Sequence, residues 1–173
     1  LWVGGVSTFL LVSFFLVPFY LPEGSVPKLS GRANAFDYHS EDGWGNIQTS
    51  GNGDVGHNQS EYGEFVWSDL DPYAAFIYGF GDLNCHTKAE RSWEVNGNQM
   101  PVCVRDVGIF LGIAIGGFLF SRKGFNRWTI RDTFLSLLPD RVMGPVYKND
   151  ERLLAMFVIA GIAAIPMAVD GFT

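Results

Sequence analysis

The apolar residues of this chain are gathered into blocks. Residues 1–22 carry no charge, residues 102–120 are charged only at Arg105 and Asp106, and residues 153–173 only at Asp170. Elements of a soluble protein would spread apolar positions at a period of ~3.6 or ~2 residues. Blocks of about 20 residues, rising ~1.5 Å each, match a hydrocarbon core of ~30 Å. The pattern predicts an all-α integral membrane protein with three transmembrane helices, at 1–22, 102–121 and 153–173. Trp2 and Tyr20 stand near the two ends of the first block, where amphipathic rings favour the membrane boundary. No basic segment precedes that block and no small-residue cleavage site follows it, so it reads as a span and not as a secretory signal. The chain does not start with Met and stops at the end of an apolar block, so it is expected to continue at both ends.

Between the first two blocks lies a long polar segment, 23–101, rich in Gly, Asn, Ser and acid. It holds twelve acids against Lys28, Arg32, Lys88 and Arg91. The shorter connector 122–152 holds Arg122, Lys123, Arg127, Arg131, Arg141, Lys148 and Arg152. Basic residues collect in short cytoplasmic loops, which places the N-terminus and 122–152 in the cytoplasm and 23–101 outside a cell membrane crossed several times. Turn-rich runs such as Gly51-Asn52-Gly53-Asp54 predict mostly irregular structure in this outer loop. Pro72 to Gly81 is apolar and aromatic but too short to span, and suits an interfacial or packed segment. Asn96-Gly97 between short flanks predicts a β-hairpin near 93–100 with a type I′ turn. Arg127 to Val142 alternates basic and apolar residues and is broken by Pro139, which suits a short amphipathic surface segment. Asn58-Gln59-Ser60 is a glycosylation sequon. The net charge of −6 argues against nucleic acid as a partner.

Small residues repeat at every fourth position: Gly108, Gly112 and Gly116 in the second block, Ala160, Ala164 and Ala168 in the third. That spacing lets backbones approach closely in lipid. Counted outward from Arg122 and Arg152, Asp106 and Asp170 stand about 24 Å and about 27 Å along their helices, at one shared depth near the outer boundary. Carboxylates there need a partner or water, and Arg105 is beside them. Arg91 and Arg105 with Asp170 make a polar cluster suited to an anionic group. The hairpin brings together the only two cysteines, Cys85 and Cys103. Two readings stand. One is a disulfide, which would add about 3 kcal/mol by closing the loop. The other is a metal site of Cys85, His86, Cys103 and Asp106, a donor set acceptable to zinc. Against the second, adjacent residues such as Cys85 and His86 rarely bind one ion.

The order Cys85-His86, Glu90-Arg91-Ser92, Asn96-Gly97-Asn98-Gln99-Met100-Pro101-Val102-Cys103-Val104-Arg105 and Gly108-Ile109-Phe110-Leu111-Gly112 resembles domain-of-unknown-function family 2085, of prokaryotic membrane proteins. Pro166 through Asp170-Gly171-Phe172-Thr173 resembles that family's next block, and the resemblance covers about residues 85–173. The resemblance implies no particular activity. Its pattern of Cys-His followed by Cys-x-x-Cys implies a metal site rather than a disulfide, and Asp106 stands here in place of the last Cys. Neither a Ser-His-Asp triad nor His-Glu-x-x-His is recognisable. The expected function is a non-enzymatic subunit of a larger membrane complex, embedded in lipid beside other subunits or further copies of itself. The alternative is a metal-dependent hydrolase or transferase at the outer leaflet, and whether the protein is an enzyme stays open.

Overall fold

A computed structural model describes residues 1–31, 36–47, 58–123 and 129–172, without the side chains of 123, 130 and 166–172. Asp170 of the expected polar cluster therefore lies outside the described side chains, as do Arg127 and Trp128 of the amphipathic segment. The chain forms two compact units, Trp2–Ile115 and Gly116–Thr173.

In the first unit, α1 (Trp2–Tyr20) buries Leu10, Phe14 and Val17 along one side, followed by Leu21 just past its end. Its other side exposes Val3, Val6, Val12, Phe15, Leu16 and Phe19. A soluble helix would carry polar residues there. Two hydroxyls of α1 are satisfied within it, Thr8 donating to the Gly4 carbonyl and Ser13 to that of Phe9, as suits an apolar surrounding. The chain then runs through a four-residue helix α2 (Trp44–Ile47) and short 3-10 turns to α3 (Pro72–Asn84). Asp71 caps α3 by accepting from the Tyr73 and Ala74 amides, and Pro72 occupies its first turn, where no amide hydrogen is needed. Strands β1 (Glu94–Val95) and β2 (Asn98–Gln99) form the expected hairpin, paired antiparallel as Glu94 with Gln99 and Val95 with Asn98. Asn96 and Gly97 turn at φ of 52° and 71°, the positive pair of a type I′ turn. Helix α4 (Val104–Lys123) follows.

The long segment is not a detached loop. Val26, Leu29, Tyr38 and Phe65 from it pack with Phe14, Val17, Ala74, Ile77, Tyr78, Met100 and Val102 in one core. Its backbone is held largely by buried side-chain amides in place of strands. Gln59 accepts from the Ser30 amide and donates to the Lys28 and Gly63 carbonyls. Asn46 accepts from the Phe65 amide and donates to the Phe65 and Ser40 carbonyls. A buried backbone group without a partner would cost as much as a lost hydrogen bond, so each amide stands in for a missing strand neighbour. The sequon residue Asn58 accepts from Ser60 and starts a 3-10 turn.

In the second unit, α5 (Ile130–Leu135) is capped by Thr129, α6 (Asp140–Lys148) starts after Pro139, and α7 is Arg152–Phe172. Leu135 is fully buried, and Asp132 receives the Tyr147 hydroxyl at 3.3 Å. Arg152 pairs with Asp150 at 2.6 Å and approaches Asp132 at 3.8 Å.

Two helices, Trp2–Tyr20 and Val104–Arg122, are long and apolar enough to cross a membrane. The described apolar part of α7, Arg152–Ile165, is shorter than a span, so the expected third crossing is not established by length.

Candidate metal centre

Cys85 follows the last turn of α3, Cys103 precedes α4, and Asp106 lies in the first turn of α4. One ligand atom from each, two Sγ and a carboxylate oxygen, all fall within 4.8 Å of one another. Cys85 is buried, while Cys103 and Asp106 are half-buried. What brings them together is a close approach of α3 to the segment before α4. Gly81 lies against the Pro101 carbonyl, and a Cβ at that position would overlap it. Tyr78 donates from its hydroxyl to the Gln99 carbonyl at 2.7 Å. Gln99 in turn accepts from the Leu29 amide and donates to the Thr87 carbonyl. Thr87 is buried with φ at 48°, a strained setting for a β-branched residue. That bend points its amide at the Cys85 sulfur, 3.5 Å away.

The Cys85 sulfur also accepts from the Cys103 amide at 3.1 Å. Two backbone donors aimed at one sulfur favour negative charge on it. The cysteines are not linked by a disulfide. The protonated Cys103 thiol donates to Asp106 Oδ2 at 3.2 Å. A hydrogen bond from the Cys85 thiol favours ionised Cys103 and brings its pKa down to about 7. The same bond, together with burial, pushes the Cys85 thiol above the ordinary range. With one proton removed, the charge rests on Cys103 and the Cys85 thiol donates to it.

His86 is not part of the group. Cys85 has extended backbone, φ −118° and ψ 155°, so successive side chains point to opposite sides, and His86 is exposed. Arg91 and Arg105 are exposed as well. Three protein donors remain. Donors bound at ~2.0–2.3 Å around a tetrahedral ion stand ~3.3–3.8 Å apart, and Cys103 Sγ and Asp106 Oδ2 lie near that spacing at 3.2 Å.

A family model described as a predicted membrane protein, DUF2085, matches residues 85–173, just over half the chain. The chain belongs to domain-of-unknown-function family 2085. This member is also similar to an uncharacterised protein of Methanocaldococcus jannaschii, at 30% identity over 97 residues, 56% of this chain and 47% of that one. It thus spans about half the length of the curated relative it matches. No solved structure matches it. The DUF2085 segment begins at Cys85 and contains all three clustered donors, while α1 and the loop up to Asn84 lie outside it.

Sequence reasoning missed Asn98, Gln99 and Thr87, which shape the site from behind. The first two sit in the Asn-Gly-Asn-Gln run, which the sequence marks as a hairpin and as part of the family motif but not as a support of the site. Both strand residues of β2 are buried, and their amides are hydrogen-bonded to backbone groups.

Proposed function

We propose that this DUF2085 protein is a multi-pass membrane component in which Cys85, Cys103 and Asp106 hold one divalent metal ion, zinc first. The ion ties the end of the long loop to the mouth of α4. The observation that carries this is the convergence of three donors from two elements within 4.8 Å. Bound metal would cross-link α3 to α4 and keep Cys85 from facing an apolar core as a bare thiolate. The role is structural, and the protein is a subunit of a larger membrane assembly. In support, among the described residues a Cβ added at Gly108, Gly112 or Gly116 meets no atom within 4 Å, and such a small-residue stripe suits close packing with a helix.

Protein purified without reductant or chelator is expected to carry one metal ion per chain by elemental analysis. Its two thiols should react only after denaturation with chelator. No metal, and no thiol until a reductant is added, overturns the site in favour of a disulfide. Asp106→Ala removes a direct donor and should lower metal affinity by more than the roughly 10–100-fold that loss of an outer-shell partner costs. His86→Ala should leave it unchanged.

A second reading follows from the donor count. Three protein ligands leave a fourth position on a tetrahedral ion, as in catalytic zinc sites, where bound water becomes a nucleophile near neutral pH. Hydrolysis or group transfer at the leaflet surface would then be open to it. Release of product from lipid-linked phosphate esters that is lost in Asp106→Ala would favour this reading over the structural one.

The proposed topology has three crossings, with 23–101 outside and 122–152 in the cytoplasm. Lys28 and Lys148 are both exposed. A membrane-impermeant amine reagent applied to intact cells should label Lys28 and spare Lys148, and the opposite labelling would invert the topology.

A further inference from the structure

Helix α3 has 13 residues, about 20 Å, which is too short to cross a bilayer. Both its ends are tied to ends of the two apolar helices. Asp71, its cap, accepts the hydroxyl of Tyr20, the last residue of α1, at 2.8 Å. Cys85, just past its other end, accepts the amide of Cys103, the residue before α4. It therefore runs from the end of one apolar helix to the start of the other.

Its two sides meet different surroundings. Ala74, Ile77, Tyr78, Gly81 and Asp82 are buried, and Asp82 accepts from the Tyr38 amide and the Trp67 indole of the long loop. Tyr73, Phe76, Phe80 and Leu83, spaced three, four and three apart, share another side. Tyr73 donates to Ser13 of α1 at 2.6 Å. The Phe80 ring meets Phe14 of α1 at 6.2 Å and Phe110 of α4 at 5.9 Å. Phe14 and Phe110 each lie six residues inside the end of their helix, about 9 Å inward. Beside these contacts Phe76 is 57% and Leu83 44% exposed.

We propose that α3 is an interfacial helix that lies along the membrane surface and immerses Phe76 and Leu83 among the acyl chains of the leaflet at the Tyr20 end of α1. This goes beyond the metal reading and is independent of it, and it rests on α1 and α4 being spans. Lipid is the occupant because the side of α3 that carries the exposed pair also carries Tyr73, whose ring lies 6.3 Å from that of Phe9, a 53% exposed residue of the apolar helix α1. A depth of about 9 Å is that of a helix seated at the headgroup boundary, roughly 5–10 Å deep. Trp93, from a different element, is half-exposed and lies 6.2 Å from Phe15 of α1, as a boundary aromatic would.

The test uses single added tryptophans, Phe76→Trp, Leu83→Trp and, deep in α4, Ile113→Trp. Each is placed in the full chain, reconstituted in phosphatidylcholine vesicles whose acyl chains carry bromine near the headgroup or near the bilayer centre. Emission is read as the difference from the parent with its five native tryptophans. The first two variants should be quenched roughly twofold more by shallow than by deep bromine, and Ile113→Trp in the reverse order. If Ile113→Trp is quenched but the α3 variants are not, the surface proposal falls alone. Aqueous iodide quenching would then place the pair in water, and silence to both quenchers would place it under protein. If Ile113→Trp is unquenched, α4 is not a span and the proposal falls with it.

Discussion

Asn98→Ala is expected to lower the stability of the loop and α1 assembly by about 3–5 kcal/mol, shifting thermal unfolding in detergent down by about 10 °C. The reason lies in two prolines. A helical carbonyl is normally satisfied by the amide four residues later. For Pro18 that residue is Pro22, which has no amide hydrogen. The fully buried Asn98 supplies the missing donor, giving its Nδ2 to the Pro18 carbonyl at 3.0 Å and to that of Pro22 at 3.1 Å. Its Oδ1 accepts from the Val26 amide at 2.9 Å. Alanine strands the Pro18 carbonyl and the Val26 amide, each at about 1–3 kcal/mol, while the Pro22 carbonyl keeps its bonds from Ser25, and the lost side chain leaves a cavity as well. Asn98→Asp keeps the acceptor but sets a buried carboxylate against two carbonyls, so it should fare no better. Exposed Asn84, whose amide reaches only the Phe80 carbonyl, is the control, and Asn84→Ala should stay within about 0.5 kcal/mol. Near-UV circular dichroism of the loop tryptophans follows the transition. An Asn98→Ala midpoint equal to that of Asn84→Ala would refute the capping role.

Gly81→Ala is the second large effect, and two terms oppose in it. Alanine in a helix interior gains about 0.5–1 kcal/mol over glycine. At Gly81, however, the new methyl lands on the backbone of Pro101, which cannot swing aside. Overpacking of this kind costs about 1–3 kcal/mol or more, so the net sign is destabilising. Gly5, in α1, has nothing within 4 Å of its added Cβ among the described residues, so Gly5→Ala should keep the helix gain. The Gly81 variant should also weaken the metal site, because α3 and the Pro101 segment must part and carry Cys85 and Cys103 with them. Metal affinity should fall by roughly tenfold or more. Stability unchanged or raised in Gly81→Ala would mean that α3 and Pro101 do not touch.

Several features were legible in the sequence because one local rule decides each. A bilayer core calls for long apolar runs, so α1 and α4 stand out by length. Asn96-Gly97 has one favoured turn. Asp71-Pro72 carries a helix cap and first-turn proline, yet the apolar run after it suits interface and packing alike in the sequence, because α3 is buried on one side and exposed on another. The buried amides were not legible. Asn98, Gln99, Gln59 and Asn46 look like surface residues until the partners they replace are known, and those lie up to 80 positions away for Asn98 and Pro18. At the site, spacing suggested four donors. An extended Cys85 turns His86 outward, which depends on a backbone angle and not on residue type.

The presence and chemistry of the metal are read most directly by X-ray absorption at the zinc edge, on protein purified with neither added metal nor chelator. The expected first shell has two sulfurs at about 2.3 Å, from Cys85 and Cys103, with oxygen at about 2.0–2.2 Å from Asp106. A shell of light atoms alone, or protein that carries no metal, would contradict it.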